Sequence, residues 1–344
     1  MKRTLMKLLG VLLSIGILTG AFAACSNNTT ETADDGKLDI VTTIFPVYDW
    51  VTNVLGDKVA DANVTMLLDK GVDLHSYQPT AADIAKIATC DVFVYVGGES
   101  DEWVADALNE ATNKNMQVVN LMEVMGDRAK AEEMKEGMQE TEHDHEHEEG
   151  EEHAKGEEHE HEEGEAELDE HVWLSLKNAS FLCDAICTAV STADEANADT
   201  YKTNTASYKE KLAALDGEYK GVVDTAKRKT VLFGDRFPFR YMVEDYGLDY
   251  YAAFVGCSAE TEASFETISF LANKVDELGI TNVFIIDNSD SKIAETILKT
   301  AKSNNGAIRM MDSLQSTTAE EVANGKTYLS AMQKNLEVLK VALN

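Results

Sequence analysis

The sequence of 344 residues is poor in cations, in histidine and in paired cysteine. Its 30 Lys and Arg face 62 Asp and Glu, a formal net charge of −32. So anionic a chain cannot neutralise phosphates in bulk, which excludes nucleic acid as a partner. The five cysteines, Cys25, Cys90, Cys183, Cys187 and Cys257, include no C-x-x-C, so a zinc-finger type of site is not expected. Cys183 and Cys187 fall four apart on an expected helix, sharing a face but poorly placed for a mutual disulfide. They read as small buried apolar residues, a reading that extends to Cys90, although export permits disulfides. H-E-x-x-H is missing as well, and with it the usual sequence sign of a zinc hydrolase.

At the N-terminus, Lys2, Arg3 and Lys7 precede an apolar run over 8–24 that only small residues interrupt. This is the pattern of a secretory signal over 1–24. Phe22, Ala23 and Ala24 before Cys25 resemble a bacterial lipobox with Phe22 in place of the usual Leu. Cleavage before Cys25 and acylation of its thiol are expected, with ordinary cleavage or an uncleaved anchor as the alternatives. Polar residues over 25–37 read as a flexible tether.

About 300 residues follow the tether, more than one core usually serves, so two lobes are expected. Short β-branched runs at 38–43, 62–68, 92–96 and 117–120 alternate with helical patterns, the first opening at Pro46 and carrying Val47, Trp50, Val51, Val54 and Leu55. Strands separated by helices of that length imply a parallel sheet, here a first lobe over 38–125. The stretch 126–170 breaks the pattern with 21 acidic against 4 basic residues. It reads as a disordered acidic loop, after which 171–193 completes the lobe. Over 194–227, Tyr201, Tyr208, Leu215 and Val222 recur every seven residues, with Leu212 and Tyr219 between them. That stripe predicts a helix roughly 45 Å long with one buried face. The second lobe, 228–344, repeats the alternation with strands at 230–233, 250–254, 283–286 and 307–311. The fold class is therefore α/β: two parallel-sheet lobes joined by one long helix, with the ligand site in the cleft at the strand ends.

Six of the eight histidines crowd into the acidic stretch: His143, His145, His147, His153, His159 and His161, interleaved with Glu. A solvated acidic run is the plain reading, but His-rich tracts bind metal, and imidazole with carboxylate suits zinc and its neighbours. Ordering such a loop opposes binding, so its affinity should be modest. The other two histidines stand apart, His75 in G-V-D-L-H-S-Y-Q-P-T and His171 in D-E-H-V-W-L-S. Both fall in loops at element ends, where an imidazole can face a cleft.

On these residues the chain resembles the metal-binding lipoproteins of bacterial zinc and manganese ABC importers. The matching pieces are the His75 loop with Tyr77 and Pro79, the H-V-W-L-S run from His171 directly after a His-rich insertion, the long helix with its Tyr repeats, and M-D-S-L from Met311. They cover nearly the whole chain beyond the tether. The resemblance implies an ion held between the lobes by His75, His171 and Asp312, with a further His or Glu just after the first strand of the second lobe. At that place this sequence reads Phe233, Gly234, Asp235, Arg236, Phe237, and glycine has no ligand atom. Asp235, a water, or Glu260 or Glu262 from the following loop are the candidates to stand in. Asp312 as a helix cap, and His171 stacked on Trp173, are the plain structural alternatives.

What the resemblance implies is a monomeric, non-enzymatic substrate-binding lipoprotein on the outer face of the bacterial cytoplasmic membrane, held there by lipid on Cys25. It would capture Zn2+, with Mn2+ as the alternative, for an ABC permease and its ATPase. More imidazole at the site favours zinc, more carboxylate and water manganese. A surface metal buffer or adhesin, and a zinc hydrolase, are the rival readings from other classes.

Overall fold

The computed structural model describes residues 36–139, 167–258, 262–303 and 305–344. The expected signal, Cys25, the six clustered histidines His143, His145, His147, His153, His159 and His161, and Glu260 lie outside the described residues. The first sheet is parallel, in the order β2-β1-β3-β4, from β1 (Leu38–Thr42), β2 (Ala62–Met66), β3 (Val92–Tyr95) and β4 (Gln117–Asn120). All four residues of β3 are buried, as expected for a strand covered by helices on both faces. The second sheet repeats the order as β6-β5-β7-β8, from β5 (Thr230–Phe237), β6 (Asp249–Val255), β7 (Asn282–Ile286) and β8 (Ala307–Met311). In each sheet the chain leaves the inner strand to one side and then crosses to the other. The switch points therefore lie between β1 and β3 and between β5 and β7, where α/β sheets place ligands.

The long helix is Ala198–Thr225, 28 residues and so about 42 Å. Its buried stripe is Tyr201, Thr205, Tyr208, Leu212, Leu215, Tyr219 and Val223. The last contact is Val223 in place of the expected Val222, because a helix of 3.6 residues per turn drifts away from a strict seven-residue repeat. Tyr208 donates through its hydroxyl to Asp49 Oδ2 at 3.1 Å and Tyr219 to the Met332 carbonyl at 2.6 Å. The helix is thus tied both to Phe45–Leu55 of the first lobe and to the C-terminal helix Tyr328–Leu343.

The cores do not divide lobe by lobe. One apolar cluster runs from Ile40 and Trp50 through Trp173, Tyr208 and Tyr219 to Phe284, Tyr328 and Leu339. A smaller one, including Leu232, Phe254, Leu271, Val283 and Ile297, lies in the second lobe. The edge of Trp50 meets Tyr328 with ring centroids 5.3 Å apart.

Two local expectations are corrected. Residues 126–139 and 167–170, read from the sequence as disordered, are fixed in place. Ala131 bridges Leu168, Lys130 pairs with Glu244 at 2.7 Å, the Gln139 amide donates to the Ala253 carbonyl at 2.8 Å, and the Tyr241 hydroxyl donates to the Asp169 carbonyl at 2.8 Å. Backbone bonds and charge pairs do this holding, with Met138 as a buried apolar anchor, so hydrophobic periodicity does not register it. The second correction concerns β5, which does not stop at Phe233. Its pairing with β6 shifts register between Phe233 and Arg236 and continues to Phe237, a bulge of the kind that re-aims side chains near sites.

Candidate metal site

His75 sits in a single helical turn, Leu74–Ser76, just beyond β2. Asp73 caps that turn, its Oδ1 accepting from the His75 amide at 3.1 Å, the ordinary role of Asp at an N-cap. His171 closes the segment returning from the acidic stretch and is fully buried. Its amide donates to Asp169 Oδ1 at 2.8 Å and its Nδ1 lies 3.0 Å from the same oxygen. His75 Nδ1 lies 2.7 Å from Ser100 Oγ. With both Nδ1 atoms engaged, both Nε2 atoms are left to face one another, 3.1 Å apart. Two nitrogens on one tetrahedral zinc at about 2.0–2.1 Å are separated by about 3.3 Å. The orienting Asp169 and Ser100 are the outer partners that fix tautomer and ring direction in such sites.

Burial, and then the His171 charge, push the His75 pKa down to about 3, which keeps its imidazole neutral. For His171 burial works the same way, but the Asp169 carboxylate outweighs it and the direction is upward. Glu170 accepts from the Ser100 amide through Oε1 at 3.0 Å, and its Oε2 is buried 3.8 Å from His75 Nδ1. Burial raises its pKa.

Among the described residues, the metal-ligating side chains gathered here are His75, His171 and Cys257, whose ligand atoms lie within 4.8 Å of one another. Cys257 is half-buried in the turn after β6. The four described cysteines are all free thiols. Burial, followed by the Glu132 charge, pushes the Cys257 pKa up.

Among the described residues, the other expected ligands are not part of this group. Asp312, expected in the site, pairs with Lys326 Nζ at 2.8 Å, accepts from the Leu314 amide at 2.9 Å, and faces a depression it shares with Glu321, Lys326 and Asn335. Asp235 turns into the sheet, where its Oδ2 accepts from the Ile286 amide at 3.3 Å. Glu262 is exposed. Gly234 is glycine for packing, since an added Cβ would come within 2.6 Å of Ala294 Cα in the helix Lys292–Thr300. What β5 does send into the cleft is Arg236, whose Nη2 meets Asp73 Oδ2 at 2.5 Å. The cleft itself, about 460 Å3, is lined by Asp73 and His75 from the first lobe and by Asp235, Arg236, Ser258 and Asp287 from the second. Asp287 accepts three bonds of 2.6 Å, from the Ser313 amide and hydroxyl at Oδ1 and from the Ser316 hydroxyl at Oδ2. His171 is tilted against Trp173 with centroids 5.1 Å apart, so that stacking coexists with its place beside His75. The sequence reading missed Cys257, Asp169, Ser100 and Arg236. The available signals were a G-C-S turn directly after a strand and an Asp two residues before His171.

The family model described as ZnuA, zinc-uptake complex component A periplasmic, matches residues 40–342. The zinc-binding protein AdcA of Streptococcus pyogenes is 30% identical over 335 residues, 96% of this chain. The chain spans only 61% of that relative's length. The high-affinity zinc uptake system protein ZnuA of Bacillus subtilis is 29% identical over 324 residues, 93% of each chain. Among solved structures, the Zn(II)-bound ZnuA-like domain of Streptococcus pneumoniae AdcA is 29% identical with a TM-score of 0.66, over 90% of this chain and 99% of that one.

Proposed function

The chain belongs to the zinc-uptake complex component A family, and from that premise we propose that it captures zinc outside the cytoplasm and hands it to an ABC permease driven by its ATPase. Membership of this family makes it a transport component and not an enzyme. The observation that carries the proposal is the pair of Nε2 atoms 3.1 Å apart, each ring anchored through Nδ1. Imidazoles converging at that separation suit zinc better than manganese, which prefers carboxylate and water. The first lobe is 38–125 with 171–193, the spine is 194–227, and the second lobe is 228–344, with the ion between the lobes. The protein works as a monomer, lipid-anchored through Cys25, and the histidines from His143 to His161 raise the local metal concentration.

Zinc titration of the purified protein and of the His75→Ala and His171→Ala variants tests this reading. One tight site in the parent protein should be lost in either variant while the circular dichroism is unchanged, because two ligands are then too few. Tight binding retained in both variants would falsify the reading. To separate the accessory histidines, a deletion must be confined to 140–166, because a cut from 126 to 170 also removes Asp169 and Glu132.

A further inference from the structure

We propose that Cys257 is the third protein ligand of the captured ion, giving the site two imidazoles and one thiolate. The proposal rests on His75 and His171 being ligands and assigns the place that Gly234 does not fill. Three of the described cysteines, Cys90, Cys183 and Cys187, are buried among apolar side chains as core residues. Cys257 is not of that kind. It lines a cavity of about 180 Å3 together with His75, Ser100, Glu132, Glu167 and Glu170, and its Sγ and one ring nitrogen from each of His75 and His171 lie within 4.8 Å of one another.

The backbone is built to bring it there. β6 ends at Val255, and Gly256 then passes so close to His171 that an added Cβ would lie 3.0 Å from Cε1 and 3.1 Å from Nδ1. Glycine lets the turn reach this near without pushing the imidazole aside by a few tenths of an ångström. The Cys257 amide donates to Glu132 Oε1 at 3.0 Å, which fixes the turn from the segment entering the acidic stretch. On a tetrahedral zinc with Zn–S of about 2.3 Å and Zn–N of about 2.0–2.1 Å, sulfur and nitrogen are about 3.5 Å apart. From a separation of no more than 4.8 Å, the sulfur therefore needs to approach by at most about 1.3 Å, within the reach of a small side-chain adjustment. On binding, the S–H bond breaks, a sulfur–metal bond forms, and the proton leaves to solvent. A soft thiolate selects zinc over manganese, and three protein ligands leave one position open for exchange.

Cobalt(II) loading of the protein and of its Cys257→Ala, Cys257→Ser and Cys90→Ala variants, read by absorption and followed by zinc titration, tests the assignment. Protein and Cys90→Ala should show a thiolate-to-cobalt charge-transfer band that both Cys257 variants lack. Bound metal should protect Cys257 from alkylation. Zinc affinity should fall in Cys257→Ser by at least the roughly 10–100-fold seen when an outer-sphere partner is lost, while manganese affinity changes little. Histidine-dependent cobalt binding without a thiolate band, or a band that persists in Cys257→Ala, overturns the assignment and leaves the histidine reading intact. Absence of any tight histidine-dependent metal binding overturns both. The band and the alkylation protection are read on the unmutated protein, so a variant that fails to fold does not remove the test.

Discussion

The two lobes meet along two seams of opposite character. At the rear the seam is apolar: Trp50 meets Tyr328, Tyr219 hydrogen-bonds to the C-terminal helix, and one core passes from lobe to lobe. At the front the contacts are polar. Arg236 and Gln315 of the second lobe both reach Asp73 of the first, at 2.5 and 3.0 Å. Opening the rear would expose apolar surface at about 25 cal/mol per Å2, whereas water can replace each contact at the front. The lobes are thus held at a nearly fixed angle, and admission of an ion requires only local yielding along the polar seam.

The largest expected effect lies in the rear seam. Asp49 is buried there beneath Tyr208, and burial raises its pKa from 3.8 to about 6, with the Tyr208 hydrogen bond offsetting part of the shift. A carboxyl raised in the folded state is most compatible with folding while neutral. Its full contribution is present below pH 4, declines as pH rises to about 6, and is flat beyond. Two pKa units correspond to about 3 kcal/mol. Asn at this position keeps an acceptor for Tyr208 without the charge. Asp49→Asn is therefore expected to stabilise the protein by about 2–3 kcal/mol at pH 7–8 and to leave it unchanged below pH 4, as measured by urea unfolding across that range. Equal stabilisation at both pH values would mean that packing, and not charge, is what changes.

These seams were only partly legible in the sequence. Strand and helix alternation gave both sheets, because fully buried β-branched runs such as Val92 to Val96 are unambiguous. The meeting of His75 and His171 was foreshadowed by their isolation in loops. The role of Asp312 was not readable, since an Asp following a strand looks the same whether Lys326 or a metal ion is its partner. Arg236 was hidden by the bulge in β5, which shifts the residue that reaches the cleft. Cys257 was hidden because its partners come from 96 residues apart in the chain, at His75 and His171, through close passage of Gly256 that only the folded chain reveals.

A smaller effect is expected at the front seam. The Arg236–Asp73 pair is mostly sheltered, with side-chain exposures of 18% and 23%, and an ion pair of this kind is worth about 1 kcal/mol. If it latches the cleft, Arg236→Gln should speed zinc release about fivefold, as followed with a fluorescent chelator in stopped flow. Loss of a nearby positive charge would by itself hold a cation more tightly, so the two effects differ in sign. Slower release in this variant would show that Arg236 acts on the ion through its charge and not as a latch.

The smallest metal effect of all is expected at Asp312, which belongs to neither seam's chemistry with the ion. Its carboxylate is occupied by Lys326 and by the Leu314 amide, and its backbone is held by Asn335 through two bonds of 2.8 Å. Replacing Asp312 by Asn removes the ion pair but leaves Lys326 with Glu321 at 3.2 Å, so stability should fall by only about 1 kcal/mol. Zinc affinity and stoichiometry should stay within about twofold of the parent, because outer partners of a site typically matter by 10–100-fold and Asp312 touches none of the gathered ligands. Calorimetric titration beside a thermal melt separates the two quantities. A large loss of zinc affinity with little change in melting would return Asp312 to the ion, and would require the second lobe to rearrange well beyond the small tilt that its continuous rear core allows.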